Sequence, residues 1–225
     1  MDMKIVLRIG GSIIGSPPDT HIIERYAEQI SRLKKGRHAL AIVVGGGPLS
    51  RQYIETADAL GLEDEDKDEL AILASRLNAK LLAKRLKGIA PDVIPSTIGE
   101  LTRLLRVSSV TVMGGLKPGM TTDAVAAIVA KAIKANLYIK ATDQEGVYTK
   151  DPKMYPEAKK IDRLTFEELS KMSRAKHKPG IHSILEPRAI RLLRDSGIKV
   201  IILNGLKPES VALAVRGKKI GTRIE

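Results

Sequence analysis

Three short glycine-rich stretches, each directly after an apolar run, constrain the fold of this chain more than any other feature. They are Gly10-Gly11-Ser12, Gly45-Gly46-Gly47 and the stretch that runs from Gly114-Gly115 to Asp123. A strand that ends in glycines and turns into a helix directs backbone N–H groups and a helix N-terminus at one point, which favours phosphate. Three such turns at the strand ends of one open sheet indicate that several phosphates are held together.

The length and composition of the chain limit the classes of protein it can belong to. Its 225 residues can bury the core of one large domain, and the lack of cysteine excludes disulfides, thiolate metal sites and a cysteine nucleophile. No apolar stretch approaches the ~18 residues of a membrane span, and the N-terminus has only a short apolar run. We therefore expect a cytoplasmic protein with no membrane partner.

The net charge of +12 raises the alternative of a nucleic acid partner, because clustered lysine and arginine residues bind phosphate backbones. The basic residues are scattered over most of the predicted helices, however, and aromatic residues make up only 3% of the chain. The sequence therefore lacks the aromatic platform on which bases stack. We predict no nucleic acid partner and keep polynucleotide binding as a weaker alternative.

The spacing of apolar residues predicts strands that alternate with helices. Strands are predicted at 4–9, 39–44, 107–113, 137–141, 199–203 and 220–224, and helices at 20–35, 48–59, 68–86, 122–135, 165–172, 187–196 and 208–216. Alternation of this kind predicts an α/β fold, a three-layer α/β/α sandwich with a mostly parallel central sheet. The polar segment 172–184, with His177, Pro179, Gly180 and His182, is either a functional lid or a simple connector.

Four motifs in a fixed order carry a resemblance to a known family. Neither the Walker pattern nor Gly-x-Gly-x-x-Gly occurs in the chain. The motifs that do occur are residues 7–12 (LRIGGS), 43–51 (VVGGGPLSR), 114–123 (GGLKPGMTTD) and 141–152 (ATDQEGVYTKDP). In this order and spacing they resemble the amino acid kinase family, whose members transfer a phosphoryl group from ATP to a carboxylate, carbamate or phosphate.

Two further features resemble the branch of this family that phosphorylates UMP. Arg51 follows the triple glycine by four residues, and Asp68 precedes Asn78 by ten. The resemblance implies transfer of a phosphoryl group from ATP to UMP with Mg²⁺, a step of pyrimidine nucleotide synthesis. It also implies a single domain over 1–225, with an acceptor and phosphate lobe at 1–135 and an ATP lobe at 136–225, and a homo-oligomer such as a hexamer.

The resemblance assigns candidate residues to each part of the site. Contacts with ATP are implied for Gly10, Gly11, Ser12, Gly47, Arg51, Thr142, Tyr148 and Asp151. Contacts with UMP are implied for Gly46, Asp68, Leu116, Lys117, Pro118, Gly119, Met120, Thr121 and Thr122, with the Asp68 carboxylate accepting the ribose hydroxyls. Arg8 and Lys140 would neutralise the transferring group, with Asp123 orienting the cations. The histidines lack the spacing of metal ligands, and no metal-binding side chain is predicted.

Plain structural roles remain open for several of these residues. Residues 121–123 are also typical of a capping sequence at the start of a helix. Tyr148 can equally pack in the core, and Asp151 can equally be a turn residue before a proline. Asp68 belongs to a run of acidic residues, 63–69, that suits a solvated helix N-terminus.

The chain also departs from the family pattern, and the departures leave alternative functions open. Arg8 stands where many relatives carry lysine, Ala71 replaces a helix glycine, residues 143–146 form an altered turn, and Glu186 replaces an aspartate. Residues 183–186 resemble the molybdenum storage proteins, which share the fold. The alternatives are therefore an ATP-binding storage protein for an anion or metal oxyanion, or a kinase of the same family for another small phosphate or carboxylate.

Overall fold

The structure, a computed structural model, describes residues 3–175 and 184–225 and is built on a central sheet. The strands are β1 (Lys4–Ile9), β2 (Ala39–Val44), β3 (Val110–Met113), β4 (Leu137–Thr142), β5 (Val147–Tyr148), β6 (Lys160–Ile161), β7 (Arg163–Leu164), β8 (Lys199–Asn204) and β9 (Thr222–Ile224). The helices are α1 (Gly11–Ile14), α2 (Thr20–Lys35), α3 (Pro48–Ala59), α4 (Asp64–Arg85), α5 (Ile98–Ser108), α6 (Thr122–Ile133), α7 (Phe166–Ala175), α8 (Pro187–Asp195) and α9 (Glu209–Val215).

The main sheet has the strand order β3-β2-β1-β4-β8-β9-β7, and β5 pairs with β6 outside it. All neighbouring strands in the main sheet run parallel except β8 and β9. The carboxyl ends of β1, β2, β3 and β4 therefore lie at one edge, where ligands bind in sheets of this kind.

Successive residues of each strand pack into different apolar cores on the two faces of the sheet. In β1, Ile5, Leu7 and Ile9 face a core formed with α2, α4 and α9. Val6 faces the other core, formed with α5, α6, α7 and α8. Burial on both faces explains why these strands are continuous apolar runs. The prediction of a three-layer α/β/α sandwich with a mostly parallel sheet is confirmed.

The boundaries of several predicted elements differ from the structure; helix α7, for example, covers Phe166–Ala175 rather than 165–172. The strand predicted at 107–113 is limited to β3, because residues 98–108 form α5, a helix that the periodicity did not predict. Thr97 caps this helix by accepting a hydrogen bond from the backbone N–H of Glu100 at 3.1 Å. Helix α4 begins at Asp64 rather than at 68, because the helix dipole stabilises the acidic side chains of its first turn. The last strand is shorter than predicted and covers Thr222–Ile224.

Most of the segment predicted as a lid or connector, residues 176–183, lies outside the described residues. Within the described part of the chain, no helix has the length and apolar character needed to cross a bilayer.

Candidate active site

The first two glycine turns lie backbone against backbone. A Cβ atom on Gly11 would lie 2.1 Å from the backbone nitrogen of Gly47, and one on Gly45 would lie 2.9 Å from the nitrogen of Gly11. Gly47 also adopts a φ of +61°, a conformation that side chains disfavour. Glycine is therefore required for these two turns to meet, and residues of both turns line the same cleft.

Helix α4 fixes the positions of the second and third turns. The side-chain amide of Asn78 donates to the carbonyl oxygens of Gly45 and Gly46 at 3.0 and 3.1 Å. Ser75 Oγ accepts a hydrogen bond from the backbone N–H of Gly115 at 2.7 Å, and Arg76 Nε donates to the Gly115 carbonyl oxygen at 3.0 Å. One helix thereby holds two loops in register with each other.

The three turns line one cleft of about 1040 Å³ at the carboxyl edge of the sheet. The sequence-predicted residues that line it are Arg8, Gly10, Gly11, Ser12, Gly46, Gly47, Arg51, Asp68, Lys117, Gly119, Met120, Thr121, Thr122, Asp123, Lys140 and Thr142. Tyr148 and Asp151 instead line an adjacent cavity of about 100 Å³. Leu116 packs against the apolar core, and Pro118 lines neither cavity.

A carboxylate between two cations forms the centre of the cleft. Arg8 Nε lies 2.8 Å from Asp123 Oδ1, and Lys140 Nζ lies 2.6 Å from Asp123 Oδ2. Lys140 also donates to the carbonyl oxygen of Ile184 at 2.7 Å. Asp123 and Lys140 are both buried, so the charges interact with little screening by water. The three groups together leave one net positive charge facing the cleft.

Burial and neighbouring opposite charges shift the pKa values of Asp123 and Lys140 in opposite directions. Burial alone would raise the pKa of the Asp123 carboxyl, but the charges of Arg8 and Lys140 outweigh it and hold that pKa below its ordinary value. Burial lowers the pKa of the Lys140 ammonium, and Arg8 lowers it further, against the opposing effect of Asp123. Asp123 is therefore an ionised acceptor at neutral pH.

The two threonines at the start of α6 differ in the hydrogen bonds they can still make. Thr121 Oγ1 accepts from the backbone N–H of Ala124 at 3.2 Å and donates its proton to the carboxylate of Glu186. Thr122 Oγ1 accepts from Arg8 Nη2 at 3.1 Å. A hydroxyl has one proton, and that of Thr121 is already used. None of the described residues accepts the proton of Thr122, which is left for a ligand.

Asp68 is held against the third loop. Its Oδ2 atom accepts a hydrogen bond from the backbone N–H of Gly119 at 2.7 Å, where Gly119 has a φ of +73°. A carboxylate has two oxygens and several acceptor positions, so Asp68 can accept a further donor while it holds the loop.

Several residues around the cleft were not predicted from the sequence. Asn78 contributed to the family resemblance but was given no role in the site, and Ser75 was not singled out; both are buried polar residues on a helix, and a polar residue on an apolar face was the signal that could have identified their role. Glu186 was noted as a departure from the family pattern, but its bond to Thr121 spans 65 residues and has no local signal. Asp143 and Lys153, which form an ion pair at 3.1 Å beside the cleft, were not predicted either.

Fold and site together define a phosphate-binding α/β protein. The sequence profile of the Amino acid kinase family matches residues 3–204. The chain belongs to the amino acid kinase family, as the four sequence motifs predicted.

Individual relatives agree with this assignment. The chain is 40% identical to a uridylate kinase of Hyperthermus butylicus over 98% of this chain and 97% of the relative. It is 36% identical to a uridylate kinase of Pyrococcus abyssi over 99% of this chain and all of the relative. The crystal structure of uridylate kinase from Archaeoglobus fulgidus superposes with a TM-score of 0.91 at 36% identity, covering 99% of this chain and 100% of that one.

Proposed function

We propose that this protein is a kinase that transfers a phosphoryl group from ATP to UMP and releases ADP and UDP. The observation that carries the proposal is the buried Asp123 between Arg8 and Lys140, placed where three glycine turns meet. The uridylate kinases to which the chain is similar over nearly its whole length support UMP as the acceptor.

The proposed site works by positioning and by neutralising charge. In the transfer, the bond between the terminal phosphorus of ATP and its bridging oxygen breaks, and a bond to an oxygen of the UMP phosphate forms. Both reactants are anions, so the barrier falls when fixed positive groups surround the transferring group. Arg8 and Lys140 supply formal charge, and the N–H groups of Gly11 and Ser12 supply partial charge. Gly10 lines the cleft, but its N–H donates to the carbonyl oxygen of Ala141 at 3.0 Å.

The acceptor would lie on the other side of the cleft. Thr122 lines the cleft at the N-terminus of α6, so its hydroxyl and the helix N-terminus would donate hydrogen bonds to the acceptor phosphate. Asp68 would accept hydrogen bonds from the ribose, and the loop around Gly119 would surround the base. Tyr148 and Asp151, in the adjacent cavity, would hold the adenosine of ATP.

Mg²⁺ is part of this proposal as a partner of ATP. Among the described residues, no group of three or more histidines, aspartates or glutamates is placed to hold a metal. Asp123 Oδ2 accepts a hydrogen bond from Lys140, and Asp123 Oδ1 lies 2.8 Å from Arg8 Nε as an ion pair without a hydrogen bond. The site fits an ion held mainly by phosphate oxygens and water, as Mg²⁺ often is, with the glycine turns holding the phosphates. When bound, Mg²⁺ neutralises phosphate charge.

A homo-oligomer, such as a hexamer, is also proposed. Helix α4 exposes Leu73, Leu77 and Leu81 at intervals of four residues, with the side chain of Leu77 63% exposed. A row of exposed leucines on one helix face supports association of copies. Light scattering on the purified protein measures the mass directly. The proposal also includes a cytoplasmic location and no membrane or nucleic acid partner.

An assay of ADP release over a panel of nucleoside monophosphates tests the function. We expect the highest kcat/KM with UMP. Activity with CMP or AMP and none with UMP would contradict the acceptor, and no activity with any acceptor would contradict the enzyme class. Asp123→Asn, purified in parallel, controls for contaminating kinases.

A further inference from the structure

The large cleft and the small cavity meet at an ion pair that has no part in the function proposed above. Lys140, Thr142, Asp143 and Lys153 line both spaces. Lys153 Nζ lies 3.1 Å from Asp143 Oδ2, and Asp143 Oδ1 accepts a hydrogen bond from Thr142 Oγ1 at 3.2 Å. A charged pair therefore stands at the passage between the two spaces.

The two spaces differ in what they can bind. The small cavity contains Tyr148, whose ring suits a base, and the large cleft contains the glycine turns, which suit phosphates. A nucleoside triphosphate with its base in the first and its terminal phosphate in the second must pass the junction. Its phosphate chain would then come within reach of Lys153.

The two lysines at the junction are held to very different degrees. Lys140 is buried and bound to Asp123 and to the Ile184 carbonyl oxygen. The Lys153 side chain is 63% exposed and its ion-pair partner Asp143 is 40% exposed. Exposed ion pairs contribute little free energy, so Lys153 can exchange its carboxylate for a phosphate at small cost.

The backbone holds Lys153 in place while its side chain stays free to turn. The backbone N–H of Lys153 donates to Asp151 Oδ1 at 2.9 Å, which fixes the turn that carries it. The neighbouring Lys150 differs, because it pairs with Glu157 at 3.0 Å, lies over the ring of Tyr155 and does not line the large cleft. Lys153 thus differs from Lys150 in lining both spaces.

We propose that Lys153 binds the phosphate chain of ATP at this junction, and that Asp143 pairs with the lysine until the nucleotide replaces it. The inference rests on the proposed function, because it takes ATP as the ligand. It adds to that function a lysine in the second half of the chain that contacts the phosphates. It also adds a carboxylate that competes with the phosphates for this lysine. Burial raises the pKa of Asp143, but Lys153, together with hydrogen bonds from Thr142 and the backbone, holds that pKa below its ordinary value, so the carboxylate is charged when it pairs with the lysine.

Calorimetry with ATP and with AMP separates a phosphate contact from a base contact. Replacing Lys153 by methionine removes a charge-assisted contact, so we expect ATP binding about tenfold weaker. AMP binding should stay within twofold, and Lys153→Arg should recover most of the loss. The matched control is Lys84→Met, which removes a lysine of similar exposure, paired with Asp92 at 2.5 Å and outside both cavities.

Asp143→Asn should change the affinity for ATP in the opposite direction to Lys153→Met. Removing the competing carboxylate should tighten ATP binding about two- to fivefold, the range of an exposed ion pair. Unchanged ATP binding in Lys153→Met, or equal losses for ATP and AMP, would overturn the inference, and so would weaker ATP binding in Asp143→Asn. Failure of the wild-type protein to bind ATP would instead refute the proposed function itself, so the two failures are distinguishable.

Discussion

Arg8 and Lys140 occupy the same register position on the neighbouring parallel strands β1 and β4. Their side chains leave the sheet on the same face, and each reaches one oxygen of Asp123. Two cations this close would repel each other in a buried site, and the carboxylate offsets that repulsion. The sheet register and one aspartate thus hold two positive groups at the centre of the cleft.

Asp123→Asn should separate the effects of this carboxylate on catalysis and on folding. Without it, Arg8 and Lys140 repel and leave their positions, so we expect kcat to fall about 100-fold. The free energy of unfolding should fall by about 3 kcal/mol, since a buried charge loses its partner. Kinetics and urea unfolding measure the two effects. Asp58→Asn, which breaks an exposed pair with Lys67, should change neither quantity measurably. Near-normal kcat in Asp123→Asn would refute the central role of this residue.

The rate should fall at alkaline pH because of Lys140. Burial lowers the pKa of its ammonium below the ordinary 10.5, so the proton is lost at a lower pH than from a free lysine. As pH rises through that lowered pKa, the site loses one positive charge and kcat decreases. Lys140→Arg keeps its charge throughout this range and should remove the decrease. Rates measured between neutral pH and the ordinary lysine pKa check this. A flat profile in the wild-type protein, or the same decrease in Lys140→Arg, would contradict it.

The sequence predicted most of the sheet but not all of the helices. Ala39–Val44 was recognisable as a strand because burial on both faces demands a continuous apolar run. The sequence pattern does not predict helix α5, because Val107 continues the apolar run of the strand that follows, although this residue is 81% exposed. The Thr97 and Glu100 pair at its start was the signal that could have identified it. Strands of two residues, such as β7, are too short to show a period.

The site was predictable where it depends on local sequence. Glycine turns that follow apolar strands can be recognised in the sequence alone, and the structure brings them together in one cleft. The contact of Asp68 with Gly119 spans 51 residues, and only the packing of α4 against the third loop creates it. Which threonine keeps a free proton depends on Glu186, a residue from yet another part of the chain. The individual roles of these residues remain predictions.

Gly11→Ala should disrupt both the fold and nucleotide binding. The added Cβ would lie 2.1 Å from the backbone nitrogen of Gly47, so the two turns must move apart. We expect a loss of at least about 2 kcal/mol in the free energy of unfolding, together with weaker ATP binding. Gly99→Ala is the control, because its Cβ would meet nothing closer than Thr97 Oγ1 at 3.9 Å. Since Gly99 is the second residue of helix α5, that change should leave the stability of the protein unchanged or slightly raise it, by less than the ~0.5–1 kcal/mol of a glycine in the middle of a helix. Wild-type stability and ATP affinity in Gly11→Ala would disprove the close approach of the turns.

Asp68→Asn should raise the KM for UMP much more than the KM for ATP. The asparagine oxygen can still accept from the Gly119 N–H, but its amide nitrogen donates where the carboxylate would accept from ribose hydroxyls. Losing a charged hydrogen bond predicts a rise of about tenfold in the KM for UMP. Asp66→Asn is the matched control, because Asp66 lies on α4 two residues before Asp68 but is exposed and does not line the cleft. With dUMP, which lacks one hydroxyl, the difference between Asp68→Asn and the wild type should shrink. Equal increases in the KM values of UMP and ATP would show that Asp68 supports the cleft as a whole rather than the ribose.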